Sequence, residues 1–184
     1  MNELENVVSG EQVRPWVRYW ARTIDILVFL ILFMIVMIFL AVNVDGVVEL
    51  IDEIPETAFG VVIGFLYIFV EPILLSTWGT TIGKSLLKVR VRDRYGKKLS
   101  YSEGLKRTFS VWFFGQGMGL PLISLITHIV AYNKLSDNGI TSWDESGDYI
   151  VSHQTIGTFR ATLITVMFIL FVVLYVAFLT SIAE

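Results

Sequence analysis

The chain has 184 residues, of which 54% are hydrophobic and only 17% charged, with a mean hydropathy of +0.67 and a formal net charge of −3. Soluble domains carry about one quarter charged residues, so this composition points to an integral membrane protein, one small bundle rather than several domains. It holds no cysteine, which excludes disulfides, thiolate catalysis, Cys-ligated zinc and iron–sulfur clusters.

Residues 1–13 are polar and acidic, with Glu3, Glu5 and Glu11, and read as a surface arm. Trp16, Tyr19 and Trp20 then stand among Arg14, Arg18 and Arg22, an aromatic and basic girdle suited to a membrane interface. The first span is expected at about 17–42, since residues 26–42 carry no charged side chain. That run is too long, and its lead too acidic, for a cleaved leader, so the span is expected to remain as an anchor. Asp25 falls inside it, about 13 Å beyond Trp16 at about 1.5 Å per residue. A charge at that depth costs roughly 2.5–3.5 kcal/mol on insertion scales and requires a partner or water. Spacing offers two partners: Arg22 one turn back, and Arg18 two turns back on the same face.

Residues 43–57 hold Asp45, Glu49, Asp52, Glu53 and Glu56 and neither Lys nor Arg. A second span is expected at 58–78, broken by Glu71-Pro72, where proline cannot donate to the carbonyl of Ile68. The loop 79–107 reverses the charge, with Lys84, Lys88, Arg90, Arg92, Arg94, Lys97, Lys98, Lys106 and Arg107 against Asp93 and Glu103. Loops rich in Lys and Arg stay inside, so this loop and the amino terminus are expected in the cytoplasm and 43–57 outside. Residues 88–92 alternate at strand period and 93–96 have turn chemistry, so a cytoplasmic β-hairpin is predicted over 88–98. Its basic face suits anionic head groups, although a loop obeying the charge rule explains it equally well.

The uncharged segment 108–132 is cut by Gly115, Gly117, Gly119 and Pro121 into halves of ~20 Å, each too short to cross alone. It reads as a kinked span or as a re-entrant helical hairpin. The polar segment 133–157 includes Asp137, Asp144, Glu145 and Asp148, with a short strand predicted at 149–152. Arg160 then precedes 161–183, a last uncharged span. The chain thus divides into a membrane unit, 1–157, and an additional terminal helix, 158–184.

Several motifs have plain readings. Residues 78–85 resemble a phosphate-binding loop but have three residues rather than four between the glycines Gly79 and Gly83, so they read as a glycine-rich exit with Lys84 at the interface. Gly60 with Gly64, and Gly115 with Gly119, fit the small-xxx-small pattern of close helix packing. His128 and His153 lack ligand-like spacing, and no metal or other cofactor is expected. Glu71 and Asp25 lie at similar depth in antiparallel spans. With Arg18 and Arg22 they form either a proton or cation site or a structural ion-pair cluster, and both readings stay open.

Taken together, these features resemble the RDD family of small membrane proteins, named for one arginine and two aspartates. Its opening pattern Arg-x-x-Ala-x-x-x-Asp is met by Arg18, Ala21 and Asp25, and its Gly-x-Thr-x-Gly-Lys stretch by Gly79, Thr81, Gly83 and Lys84. A basic strand–turn–strand, Leu99-Ser100-Tyr101 and Arg107 follow in family order, and Asp144 before residues 149–151 fits the second Asp loosely. The likeness covers about 14–153. It implies Arg18, Asp25 and Asp144 as family residues, and exchange of Na+, Li+ or K+ for protons as the activity attributed to some members. Arg18 can approach Asp144 only if 133–157 is also cytoplasmic, which favours the re-entrant hairpin. The expected architecture is therefore an all-α bundle of three crossing helices plus that hairpin, in a bacterial or archaeal cell membrane.

Two functions follow: a cation/proton antiporter using Asp25, Glu71 and Asp144, with Arg18 and Arg22 as charge partners, or a non-catalytic assembly protein. A chain this small without internal repeats would transport as a homo-oligomer. No nucleophile–base set supports an enzyme, and nothing suggests nucleic acid.

Overall fold

The computed structural model describes residues 13–162 together with 164–166, 168, 169 and 173. Helix α1, Pro15–Asn43, begins with proline at its first position, where the missing N–H is no loss. It ends where Asn43 Nδ2 donates to the Phe39 carbonyl and Gly46 turns the chain at φ +82°. A short helix α2, Val47–Asp52, leads to α3, Glu56–Thr77, which holds Pro72 inside it. Among the described residues two helices, α1 and the stretch Ala58–Thr77 of α3, are long and apolar enough to cross a membrane. They match the expected spans with small shifts at the ends. The outward face of α1 is bare: Ile35, Ile38, Phe39 and Val42 are all exposed. Such a face belongs in lipid rather than in water.

Gly79, at φ +76°, closes α3, and Lys98 Nζ donates to the carbonyl of Thr77 at 2.8 Å. Then come α4, Ile82–Leu86, and strand β1, Val89–Arg92. The predicted hairpin within 88–98 does not form. β1 pairs instead with β2, Ile150–His153, antiparallel, with Val91 opposite Val151. The cause is local: Ser100 and Glu103 form a reciprocal capping box that starts helix α5, Tyr101–Ser110. The would-be second strand keeps one backbone bond, Asp93 N to Lys97 O at 3.0 Å. The predicted strand at 149–152 is present and lies beside 88–98, as its proposed place required. Val89, Val91, Leu87, Leu99, Tyr149 and Val151 form a core against Ala21 of α1. The Tyr149 hydroxyl donates to the Glu103 carbonyl at 3.2 Å. Burial first, then the Glu103 carboxylate, holds this phenol above its ordinary pKa.

After α5 the chain makes a π-turn, Val111–Gly115, then a 3-10 turn, Gly117–Gly119, with Gly117, Met118 and Gly119 all at positive φ. Gly117 rests on the backbone of the next helix, where a Cβ would come within 2.6 Å of Ser124 N. This reversal starts α6, Pro121–Asn138, which runs back past the π-turn, so that Thr127 Oγ1 donates to the Gly115 carbonyl at 3.2 Å. Gly139, at φ +72°, ends α6 and leads to α7, Ser142–Glu145. The segment 108–132 is thus folded back on itself rather than a straight kinked rod. Gly64 lies under Trp112, and Gly119 lies close to Gly60. The small-residue patterns therefore serve packing within the chain. The expected arm at 1–13 and the last span at 161–183 fall largely outside the described residues, although residues 158–162 are helical.

Candidate functional site

The stretch that ends α3 and opens α4 closes on α1 at Asp25. Asp25 Oδ1 accepts from Gly83 N at 2.6 Å; its Oδ2 accepts from Thr81 Oγ1 at 2.5 Å and from Lys84 Nζ at 3.2 Å. A Cβ at Gly83 would collide with the Ala21 carbonyl, so glycine is what lets α4 sit this close to α1. The loop therefore wraps a carboxylate with a hydroxyl, an amide and an ammonium, which satisfies a charge that would otherwise be very costly in the bundle.

Lys84 reaches further. Its Nζ also donates to Glu71 Oε1 at 2.7 Å, so one ammonium serves two carboxylates. Glu71 is fully buried and pairs through its other oxygen with Arg22, while Arg107 Nη1 stands 3.8 Å from Oε1. Arg22 donates as well to Gln116 Oε1 at 3.2 Å and lies over the Tyr67 ring. Glu71 is sealed by α5, where Gly104 packs on Pro72; a Cβ there would lie 3.1 Å from Pro72 Cα. The proline that opens α3 thus meets a glycine that lets the neighbouring helix approach.

At the far side Asp144, fully buried on α7, takes Arg18 Nη1 and Arg107 Nε, each at 2.8 Å, and the Thr141 hydroxyl at 2.7 Å. Arg107 lies between Asp144 and Glu71, and Lys84 between Glu71 and Asp25. The charges form one continuous ladder across five elements, α1, α3, α4, α5 and α7. Among the described residues no group of three or more His, Cys, Asp or Glu is placed to hold a metal ion.

The residues singled out in the sequence all join this ladder, but with different partners from those that spacing suggested. Arg18 and Arg22 do not pair with Asp25; Arg18 goes to Asp144 and Arg22 to Glu71. The reason is competition: Thr81, Gly83 and Lys84 already meet the oxygens of Asp25. Lys84, expected at the interface, is instead buried at the centre. Its place, and the bridging role of Arg107, are the main features that reading the sequence missed. The signal for Lys84 was present in the fixed order Gly79, Thr81, Gly83, Lys84, each of which has its own task here.

The profile of the RDD family matches residues 13–182. The chain belongs to the RDD family. The match runs past residue 153 and through most of the terminal apolar stretch, so the likeness extends further than 14–153. No curated protein and no solved structure matches the chain. In this RDD membrane protein Arg18 and Asp144 touch directly, whereas Asp25 reaches them only through Lys84, Glu71 and Arg107.

Proposed function

We propose that this RDD protein exchanges a monovalent cation for a proton at the oxygen cage that now holds the Lys84 ammonium. One observation carries the reading: Lys84 Nζ lies 3.2 Å from Asp25 Oδ2, 2.7 Å from Glu71 Oε1 and 3.2 Å from Thr81 Oγ1. Three oxygens from three elements surround a tethered cation where a free Na+, Li+ or K+ of like charge would fit. A cation that enters replaces the ammonium; Lys84 leaves as the neutral amine and releases one proton, so one cation moves for one proton. Lys84 also borders a cavity between α1 and α6. Asp144, held by two guanidiniums and a hydroxyl, keeps the cage in place and does not bind the cation. The working unit is a homo-oligomer in the cell membrane, catalysing no covalent step.

In this reading the amino terminus is cytoplasmic, α1 and α3 cross, residues 108–132 form a re-entrant hairpin, and the terminal apolar stretch crosses last. The β1–β2 pairing and the Arg18–Asp144 contact support it, since both require 133–157 on the side of the basic loop. A single cysteine at Ser146 tests the topology in this cysteine-free chain. Labelling of intact cells by an impermeant maleimide would defeat the hairpin.

The second reading is a non-catalytic assembly protein, favoured by the ladder's reach across five elements. Purified protein in liposomes holding a pH-sensitive dye separates the two. Cation pulses should move internal pH with wild type and not with Asp25→Asn or Thr81→Ala that unfold at wild-type temperature. Silence from well-folded wild type favours assembly instead.

A further inference from the structure

A cavity of about 700 Å³ adjoins the ladder, walled by α1 on one side and α6 on the other. Its volume falls in the range of about 300–1,000 Å³ typical of small-molecule sites. At its rim Tyr19 meets His128 edge to face at 5.5 Å, and Trp16 lies 6.3 Å from Tyr132. Arg18, Arg22, Lys84 and Arg107 line it, and no acidic residue does so among the described residues. The carboxylates Asp25, Glu71 and Asp144 stand behind these cations and do not border the cavity. Four cationic side chains face three carboxylates in the ladder, so one positive charge is in excess. A wall that carries cations and no acid favours an anionic oxygen, which guanidiniums bind by charge-assisted hydrogen bonds.

The rest of the wall is chiefly apolar and aromatic, which an inorganic anion would leave unfilled. We infer that the cavity binds an anionic lipid, with its phosphate on the Arg18 and Arg22 guanidiniums and an acyl chain along Ile26, Leu125 and Ile129. Entry is lateral, between α1 and α6, whose outer faces are exposed and apolar. The occupant supplies the negative charge that the ladder lacks. The cavity shares Lys84 with the cage proposed for cation exchange, but neither Asp25, Glu71 nor Thr81 lines it, so lipid and cation are held by different groups.

The test is native mass spectrometry of the purified protein released from neutral detergent, titrated with phosphatidylglycerol, phosphatidylcholine or inorganic phosphate. The ladder arginines are poor probes, because replacing them disturbs buried ion pairs. Ala131→Phe narrows the cavity from α6 without touching a charge. Wild type should retain one phosphatidylglycerol per chain at least tenfold more tightly than phosphatidylcholine. Ala131→Phe should weaken that binding at least tenfold at unchanged thermal stability in the detergent. Equal retention of phosphatidylcholine, unaltered binding in Ala131→Phe, or equally tight binding of inorganic phosphate would each overturn the inference.

Discussion

The two ends of the charge ladder use the same chemistry in opposite proportions. At the Asp144 end one carboxylate takes two guanidiniums and a hydroxyl. At the Asp25 end one ammonium is divided between two carboxylates. The first arrangement is over-supplied with donors: planar guanidiniums on two helices grip one acid and fix α1, α5 and α7 together. In the second, Lys84 is the one cation on Asp25 and is shared with Glu71, which Arg22 also holds. A clamp and a labile site thus lie next to each other, joined by Glu71. What differs is which group is scarce, and scarcity marks where a change of occupant is tolerated.

That contrast breaks if the clamp proves dispensable. Arg107→Met removes a charge from Asp144 and from Glu71 at once, and breaking a buried pair from one side costs about 3–5 kcal/mol. Thermal unfolding in neutral detergent should show the largest loss of any single change here, with little folded protein recovered. Lys84→Met should be milder, about 1–3 kcal/mol, since Thr81 and the Gly83 amide still hold Asp25 and Arg22 still holds Glu71. It should nevertheless abolish cation-dependent pH change in liposomes. A stability loss as large as that of Arg107→Met would make the two ends equivalent.

Gly83→Ala sharpens the comparison from the backbone side. The added methyl meets the Ala21 carbonyl and has to push α4 away from α1. Overpacking of this kind costs about 1–3 kcal/mol, and Gly64→Ala, opposed by the movable Trp112 ring, should cost less in the same unfolding assay. The smallest effect belongs to the α5 capping box, outside the ladder. Hydrogen bonds from the Ser100 side chain, then from its backbone, hold the Glu103 carboxyl below the usual carboxylate range. A depressed folded-state pKa contributes stability above the unfolded value of about 4.3, and that contribution is lost as pH falls through the folded value. Glu103→Gln should therefore flatten the acid limb of stability against pH by a few tenths of a kcal/mol, a surface-sized effect. A larger change would give the cap a share in holding the clamp.

Much of the fold was legible because spans and loops are written in local composition. An uncharged run declares a membrane-length helix, and the order Gly79, Thr81, Gly83, Lys84 marks a turn with a purpose. The β-hairpin was misread because alternation at 88–92 announces a strand but not its partner. The capping box at Ser100 and Glu103 diverts the nearer candidate into a helix, and β2 arrives from some sixty positions later by sequence register.

By itself, the sequence determined that this is an RDD membrane protein, that α1 and α3 are long enough to cross, and that Arg18, Arg22, Asp25, Glu71 and Asp144 have to find partners. Only the tertiary structure decided who pairs with whom. Spacing along one helix makes Arg22 a neighbour of Asp25, but a hydrogen bond needs the right atom at the right angle. A short loop folding back from α3 provides three such donors where the helix's own arginines point elsewhere. Desolvation makes that choice decisive, because a buried charge takes the partners that satisfy most of its oxygens, however far away they lie in the chain.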